Sequence, residues 1–112
     1  MEIKYPKKRQ NEAEMQALLW YFLRKRKIDA RLQVITPITR LDIVVFKSEK
    51  PICIIECKSW SRSYSIVRQY RLNNTKQLQK YKGLFGLPVL ICGRANDIDK
   101  VLSQVSGLCN GA

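Results

Sequence analysis

Two alternating runs, Leu41 to Phe46 and Ile52 to Lys58, flank the polar stretch Lys47 to Pro51, and this arrangement constrains the chain more than any other feature. Both runs are rich in β-branched and apolar residues, so a short polar connection between them reads as an antiparallel hairpin. If the turn is symmetric about Glu49, residues equally distant from it face each other. Phe46 then meets Ile52, Val44 meets Ile54, and Asp42 meets Glu56. Directly opposed side chains in such a pair have Cβ atoms about 4.5–5.5 Å apart, so two carboxylates are forced together at the open end of the hairpin. Like charges so placed repel unless a cation sits between them.

Alternation assigns Leu41, Ile43, Val45, Cys53, Ile55 and Cys57 to one wholly apolar face. The other face runs from Phe46, Val44, Ile52 and Ile54 into Asp42, Glu56 and Lys58. Charges at that position cost stability unless they are used. The chemistry they suit is a hard oxygen-ligand site for Mg²⁺, with two carboxylates on the ion and substrate phosphate oxygens completing its shell. Such an ion lowers the pKa of a bound water and stabilises charge developing on a phosphate. Lys58 would orient or help deprotonate the water, or neutralise the transition state. The structural alternative is a three-charge cluster in which Lys58 merely pairs with both acids.

Composition bounds what surrounds this hairpin. At 112 residues the chain is expected to be a single domain, 1–112, and any chemistry must share its one core. Lys and Arg number 21 against 9 Asp and Glu, a net charge of +12 that attracts polyanions such as nucleic acid or an anionic membrane. Histidine is absent, and Cys53, Cys57, Cys92 and Cys109 lack the C-x-x-C spacing of zinc or redox sites, so zinc and Cys/His catalysis are excluded. The basic start leads into a polar run rather than an apolar signal core, and no apolar stretch approaches membrane-spanning length. The expectation is a reduced, cytoplasmic protein.

Along the chain, Met15, Leu18, Leu19 and Phe22 recur at helical spacing within Asn11 to about Lys27, with Asn11 as a cap. Arg31 to Ile38 alternates as a strand and Thr39–Arg40 make a turn before the hairpin. Ser59 to Asn74 is Ser- and Arg-rich with mixed periodicity and reads equally as loop, helix start or strand. Thr75 to Leu84 predicts a second helix directing Leu78, Tyr81 and Phe85 inward and closed by Gly83 or Gly86. A short strand Val89–Cys92 and a third helix Asp97–Ser106 follow, with a frayed tail Gly107–Ala112. The order is αβββαβα, an α/β (α+β mixed-sheet) domain with a central sheet flanked by helices.

Asp42, thirteen intervening residues, then Glu56-Cys57-Lys58 on a strand resembles the signature of the PD-(D/E)XK nuclease superfamily. The resemblance covers nearly the whole chain, because that family has an αβββαβ core with its Asp opening the second strand and its E-x-K on the third. D…E-x-K alone is a weak pattern; the element order around it gives it weight. Leu41 stands where the family's nominal proline would be. The resemblance implies a restriction-endonuclease-like fold, Mg²⁺ as cofactor with Mn²⁺ as a substitute, and Asp42 and Glu56 as ligands. Similar nucleases add a glutamate from the first helix. At 100° per residue Glu12 lies roughly 50° from the centre of the apolar face and Glu14 roughly 110°, so Glu12 is the better third ligand. A favourable acidic residue in a first turn is the competing reading. Gln77 with Tyr81 resembles the Q-x-x-x-Y that some of these families carry after E-x-K; Gln77 would hold the water or a phosphate, while Tyr81 suits the core.

Arg62, Arg68, Arg71, Lys76, Lys80 and Lys82 can track a phosphate backbone, and Trp60 can stack on a base or simply pack. The resulting expectation is a Mg²⁺-dependent endonuclease hydrolysing branched or specific duplex DNA, of junction-resolvase, homing or restriction type. Holliday-junction resolvases are similar in size and first-helix pattern, which favours a role in DNA recombination. Two cuts need two sites, hence a homodimer or higher assembly. The rival is a basic nucleic-acid-binding or regulatory protein that keeps the fold without cutting; a membrane-surface protein ranks last, for want of a second basic amphipathic helix.

Overall fold

The computed structural model describes residues 12–58, 76, 79–93 and 97–111. A four-stranded mixed sheet is flanked by helices, with elements α1 (Glu12–Lys25), β1 (Asp29–Ile35), β2 (Arg40–Lys47), β3 (Lys50–Cys57), helical residues 79–85 (α2), β4 (Val89–Cys92) and α3 (Asp97–Gly111). The spatial order is β1-β2-β3-β4; the first three strands form an antiparallel meander and β4 runs parallel to β3. Among the described residues no helix is long and apolar enough to cross a membrane.

Both faces of the sheet are covered, which explains why β3 is an almost unbroken apolar run. On one face Met15, Leu19 and Leu23 of α1 and Ile98, Val101, Leu102 and Val105 of α3 bury against Ile43, Val45, Cys53, Ile55 and Cys57. On the other, Tyr81 and Phe85 of α2 cover Val44, Ile54 and Val89. Each fully buried aliphatic side chain contributes about 1.5–3 kcal/mol relative to an exposed one. The indole of Trp20 adds a polar anchor, donating to the Ala30 carbonyl at 2.9 Å.

Helix α1 stops at Lys25 rather than Lys27, because Lys27 takes φ 62° and closes a left-handed cap. The Ile28 amide donates back to the Leu23 carbonyl and the Lys27 amide to that of Arg24, satisfying the last carbonyls in the manner of a Schellman motif. Strand β1 is shifted to Asp29–Ile35, and the turn after it is 36–39 rather than Thr39–Arg40. Thr36 causes the shift, since its amide and its hydroxyl both donate to the Thr39 carbonyl at 2.8 Å and end the strand early. Helix α2 ends at Gly86, whose φ of 65° a residue with Cβ would resist, and whose amide donates to Lys82. The tail expected to fray is helical to Gly111, held by the partly buried Leu108 and Cys109 and by the Lys47 ammonium donating to the Cys109 carbonyl.

The hairpin departs from its expected geometry in an instructive way. Its turn is two residues, Ser48 and Glu49 with φ of 53° and 65°, the signature of a type I′ turn, so Phe46 pairs with Pro51 rather than Ile52. A bulge between Val45 and Phe46 then restores Val45↔Cys53, Val44↔Ile54 and Ile43↔Ile55. The extra residue is Ile52, which accordingly leaves the carboxylate face and packs against the α1/α3 core.

Candidate active site

Continuing the Ile43↔Ile55 register by one residue sets Asp42 against Glu56, at the open end of the hairpin. Regular pairing stops there. The Cys57 amide donates to Asp42 Oδ2 at 2.8 Å, so a side-chain oxygen takes the place of a ladder carbonyl. Gln33, between the paired Leu32 and Val34 on β1, has φ 52° on the other flank of the same residue. Alternation fails across these irregularities: Leu41, expected beside Ile43, instead packs with Val34, Val44 and Tyr81 on the α2 face. Gln16 of α1 supports the distorted strand, its side-chain amide donating to the Asp42 carbonyl at 3.1 Å.

Glu56 sits on the central strand, one residue before β3 ends, and is the buried charged residue of the described chain at 3% exposure. Its Oε1 has no hydrogen-bond partner among the described residues. Burial, then the hydrogen bond and negative charge of Asp42, push its carboxyl up to about 8, with the nearby Lys58 ammonium pulling the other way. Those interactions put Asp42, Glu56 and Lys58 in one neighbourhood, as the hairpin pattern required. Lys58 lies just past β3, half-buried, and its amide donates to the Cys92 carbonyl at 2.9 Å, keeping its backbone tied to β4.

An acid left buried with one oxygen unpartnered is costly unless something else satisfies it. A divalent cation does so, since it accepts hard oxygen donors and relieves the repulsion of two adjoining carboxylates. The donor set therefore fits Mg²⁺ through Asp42 and Glu56. No group of three or more His, Cys, Asp or Glu side chains is gathered for a metal among the described residues. The thiols offer no rival chemistry: burial, together with neighbouring Cys109 or Asp97, pushes Cys53 up to about 12 and Cys92 up to about 11, far from thiolate at neutral pH.

Glu12 opens α1, but its side chain lies outside the described residues, as do Gln77, Leu78, Trp60, Arg62, Arg68, Arg71 and the whole segment Ser59 to Asn74. Glu14 is exposed, two positions before Gln16. Lys76, Lys80 and Lys82 are exposed on and before α2, free of the core and suited to solvent or phosphate. Tyr81 is buried as expected, its hydroxyl sharing a 3.3 Å hydrogen bond with Thr39 Oγ1. Sequence reasoning missed two contributors that hold Asp42 in place. Gln16 had a legible signal, one turn beyond Glu12 on the same helix stripe; the Cys57 amide had none, because every residue carries one.

Searches of family models, curated proteins and solved structures found no match to this chain.

Proposed function

We propose that this protein is a Mg²⁺-dependent endodeoxyribonuclease of the PD-(D/E)XK kind. The supporting observation is the buried Glu56 carboxyl, without a partner at Oε1 among the described residues and facing Asp42, with Lys58 two residues further along the chain. Asp42 and Glu56 would hold the ion, with Glu12, one turn before Gln16 on α1, as the proposed third ligand. When bound, the metal would supply Lewis-acid polarisation of the phosphate and a water acidic enough to attack it.

The chain's own residues do the rest. The Cys57 amide and Gln16 fix Asp42, so its carboxylate needs no reorganisation when phosphate arrives. Lys58, whose charge is felt by Glu56, would neutralise negative charge developing on the phosphate, or pass a proton to or from the attacking water. Burial of Glu56 keeps the local dielectric low, which strengthens each of these interactions. Exposed Lys76, Lys80 and Lys82 on the α2 side, with Arg62, Arg68 and Arg71, would carry sequence-independent phosphate contacts. Cutting both strands of a duplex or junction would require two such sites, and hence a homodimer.

The test is incubation of purified protein with supercoiled plasmid and with a synthetic four-way junction, in Mg²⁺, Mn²⁺ or EDTA. Metal-dependent nicking is expected, and Glu56→Ala should lower its rate by at least about a hundredfold. Salt-sensitive DNA binding with no cutting in either metal would instead establish the second reading, a non-cleaving basic DNA-binding protein. That reading draws on the same +12 charge and on the two-carboxylate limit of the described site.

A further inference from the structure

The end of β1 and the turn after it carry the two most exposed aliphatic side chains among the described large hydrophobics, Ile35 at 76% and Ile38 at 63%. They are not on a loose loop. Thr36 Oγ1 donates to the Thr39 carbonyl and accepts from the amides of Ile38 at 3.3 Å and Thr39 at 3.0 Å, while Thr39 Oγ1 meets the Tyr81 hydroxyl. Pro37 fixes one further dihedral. The fold thus spends several hydrogen bonds on presenting apolar side chains to water, where they contribute nothing to the core.

Position gives the display a purpose. The turn leads directly into β2, and Asp42 follows Arg40 by two residues, about 7 Å along the strand. Exposed Arg40 is the cross-strand partner of Ile35, and exposed Lys80 and Lys82 flank the Tyr81 that braces Thr39. An apolar tip with an exposed arginine beside it, on a chain of net charge +12, matches a polyanion with an apolar interior, which is a stack of bases between phosphate backbones. A second copy of the chain fits less well. Two isoleucines fall far short of the roughly 800 Å² per partner that a stable interface buries, and two copies of a chain with net charge +12 repel each other.

We propose that the 36–39 turn is a DNA wedge, in which Ile38, with Ile35 nearby, enters between stacked base pairs a few steps from the phosphate that a metal ion on Asp42 and Glu56 would hold. The placement relative to that phosphate rests on the nuclease reading; the wedging itself does not. Apolar wedges unstack a step and kink the duplex, so substrates already open at that point, such as junctions and flaps, become the preferred class over continuous duplex.

The experiment scans 2-aminopurine through synthetic duplexes and a four-way junction, reading fluorescence on binding in EDTA and cleavage in Mg²⁺. Wild type should raise fluorescence at one localised step of the duplex. Ile38→Ser and the Ile35→Ser/Ile38→Ser double variant should lose that rise, and Ile38→Leu should keep it. Both serine variants should melt with wild type, since the positions are exposed. Duplex cutting by Ile38→Ser should fall about tenfold or more while junction cutting changes little, the difference being the cost of opening a stacked step. Bound duplex with no fluorescence rise at any step overturns the wedge, as does a rise that Ile38→Ser leaves intact. Conversion of a dimer to a monomer by Ile38→Ser, seen by light scattering with fluorescence unchanged, assigns the turn to a second copy and also overturns it. A rise that Ile38→Ser abolishes in a protein that never cuts upholds the wedge and sinks the nuclease reading alone.

Discussion

The two ends of the β2–β3 hairpin treat charge in opposite ways. At the turn end, Arg31 grips Asp29 through two hydrogen bonds, reaches Glu49 at 3.2 Å, and lies over the Phe46 ring at 4.0 Å. Arg31 and Glu49 are exposed, Asp29 is half-buried, and all three are paired; the Arg31 hydrogen bond holds the Asp29 carboxyl below its ordinary range. At the open end, Asp42 and Glu56 adjoin each other, Glu56 is buried, and one of its oxygens has no partner among the described residues. A satisfied surface cluster of this sort adds little to stability, typically under about 1 kcal/mol per pair. A buried, half-satisfied one is retained at a stability cost, which points to a ligand that completes it. The contrast separates a merely structural charge cluster from a candidate site within one hairpin.

The register between the two ends gives the most severe way to break the comparison. Ile52 is the bulge residue that shifts pairing by one; its removal would leave Val45↔Cys53 and Asp42 opposite Glu56, so the register is broken by a change beyond the bulge. Inserting one residue between Cys53 and Ile54, beyond the bulge, sets Asp42 against Ile55 and is expected to abolish metal-dependent cutting and to destabilise the fold by several kcal/mol, on the order of an overpacked core site. Plasmid nicking and urea denaturation check both. An insertion variant that cuts normally would show that the two carboxylates need not be opposed.

Next in size is the pH response of the open end. The Glu56 carboxyl is raised from 4.5 to about 8 by burial and by Asp42, so the folded chain binds its proton more tightly than the unfolded chain does. Stability of the metal-free protein should therefore be full below about pH 4.5, fall between there and about pH 8, and level off above. Glu56→Gln removes that slope and should stabilise the metal-free protein above pH 8 by a few kcal/mol, on the order expected for an uncompensated buried charge. Urea titrations in EDTA across this range read it out. An unchanged slope in Glu56→Gln would assign it elsewhere.

The smallest effect belongs to the turn end. Ser48 and Glu49 both adopt positive φ, which favours glycine or asparagine, so Glu49→Gly should stabilise by about 1 kcal/mol despite losing its ion pair to Arg31. Thermal melts of Glu49→Gly against Arg31→Ala measure it, and neither change should alter cutting.

Much of this was legible in the chain. Apolar periodicity located α1, the strands, the third helix and the Tyr81 and Phe85 face of α2, because burial of a helix stripe or strand face is a local demand on residue type. The opposition of Asp42 and Glu56 was legible too, although by a route the fold does not take. A turn centred on Glu49 and a tighter turn followed by a bulge give the same register beyond Val45. The boundaries at Thr36, Lys27 and Gly111 were not legible, since each depends on a hydrogen bond or packing contact made after the chain has folded back.

By itself, then, the sequence determined the meander, its apolar faces, the excess of positive charge and the meeting of two acids with a lysine nearby. Tertiary structure alone decided that Leu41 and Ile52 exchange faces, that Gln16 and the Cys57 amide hold Asp42, and that Glu56 lies buried with an oxygen that no described residue partners. The division has a physical reason. Side-chain alternation is written residue by residue, whereas bulges, left-handed residues and desolvation arise from backbone groups and neighbours that the linear order does not single out.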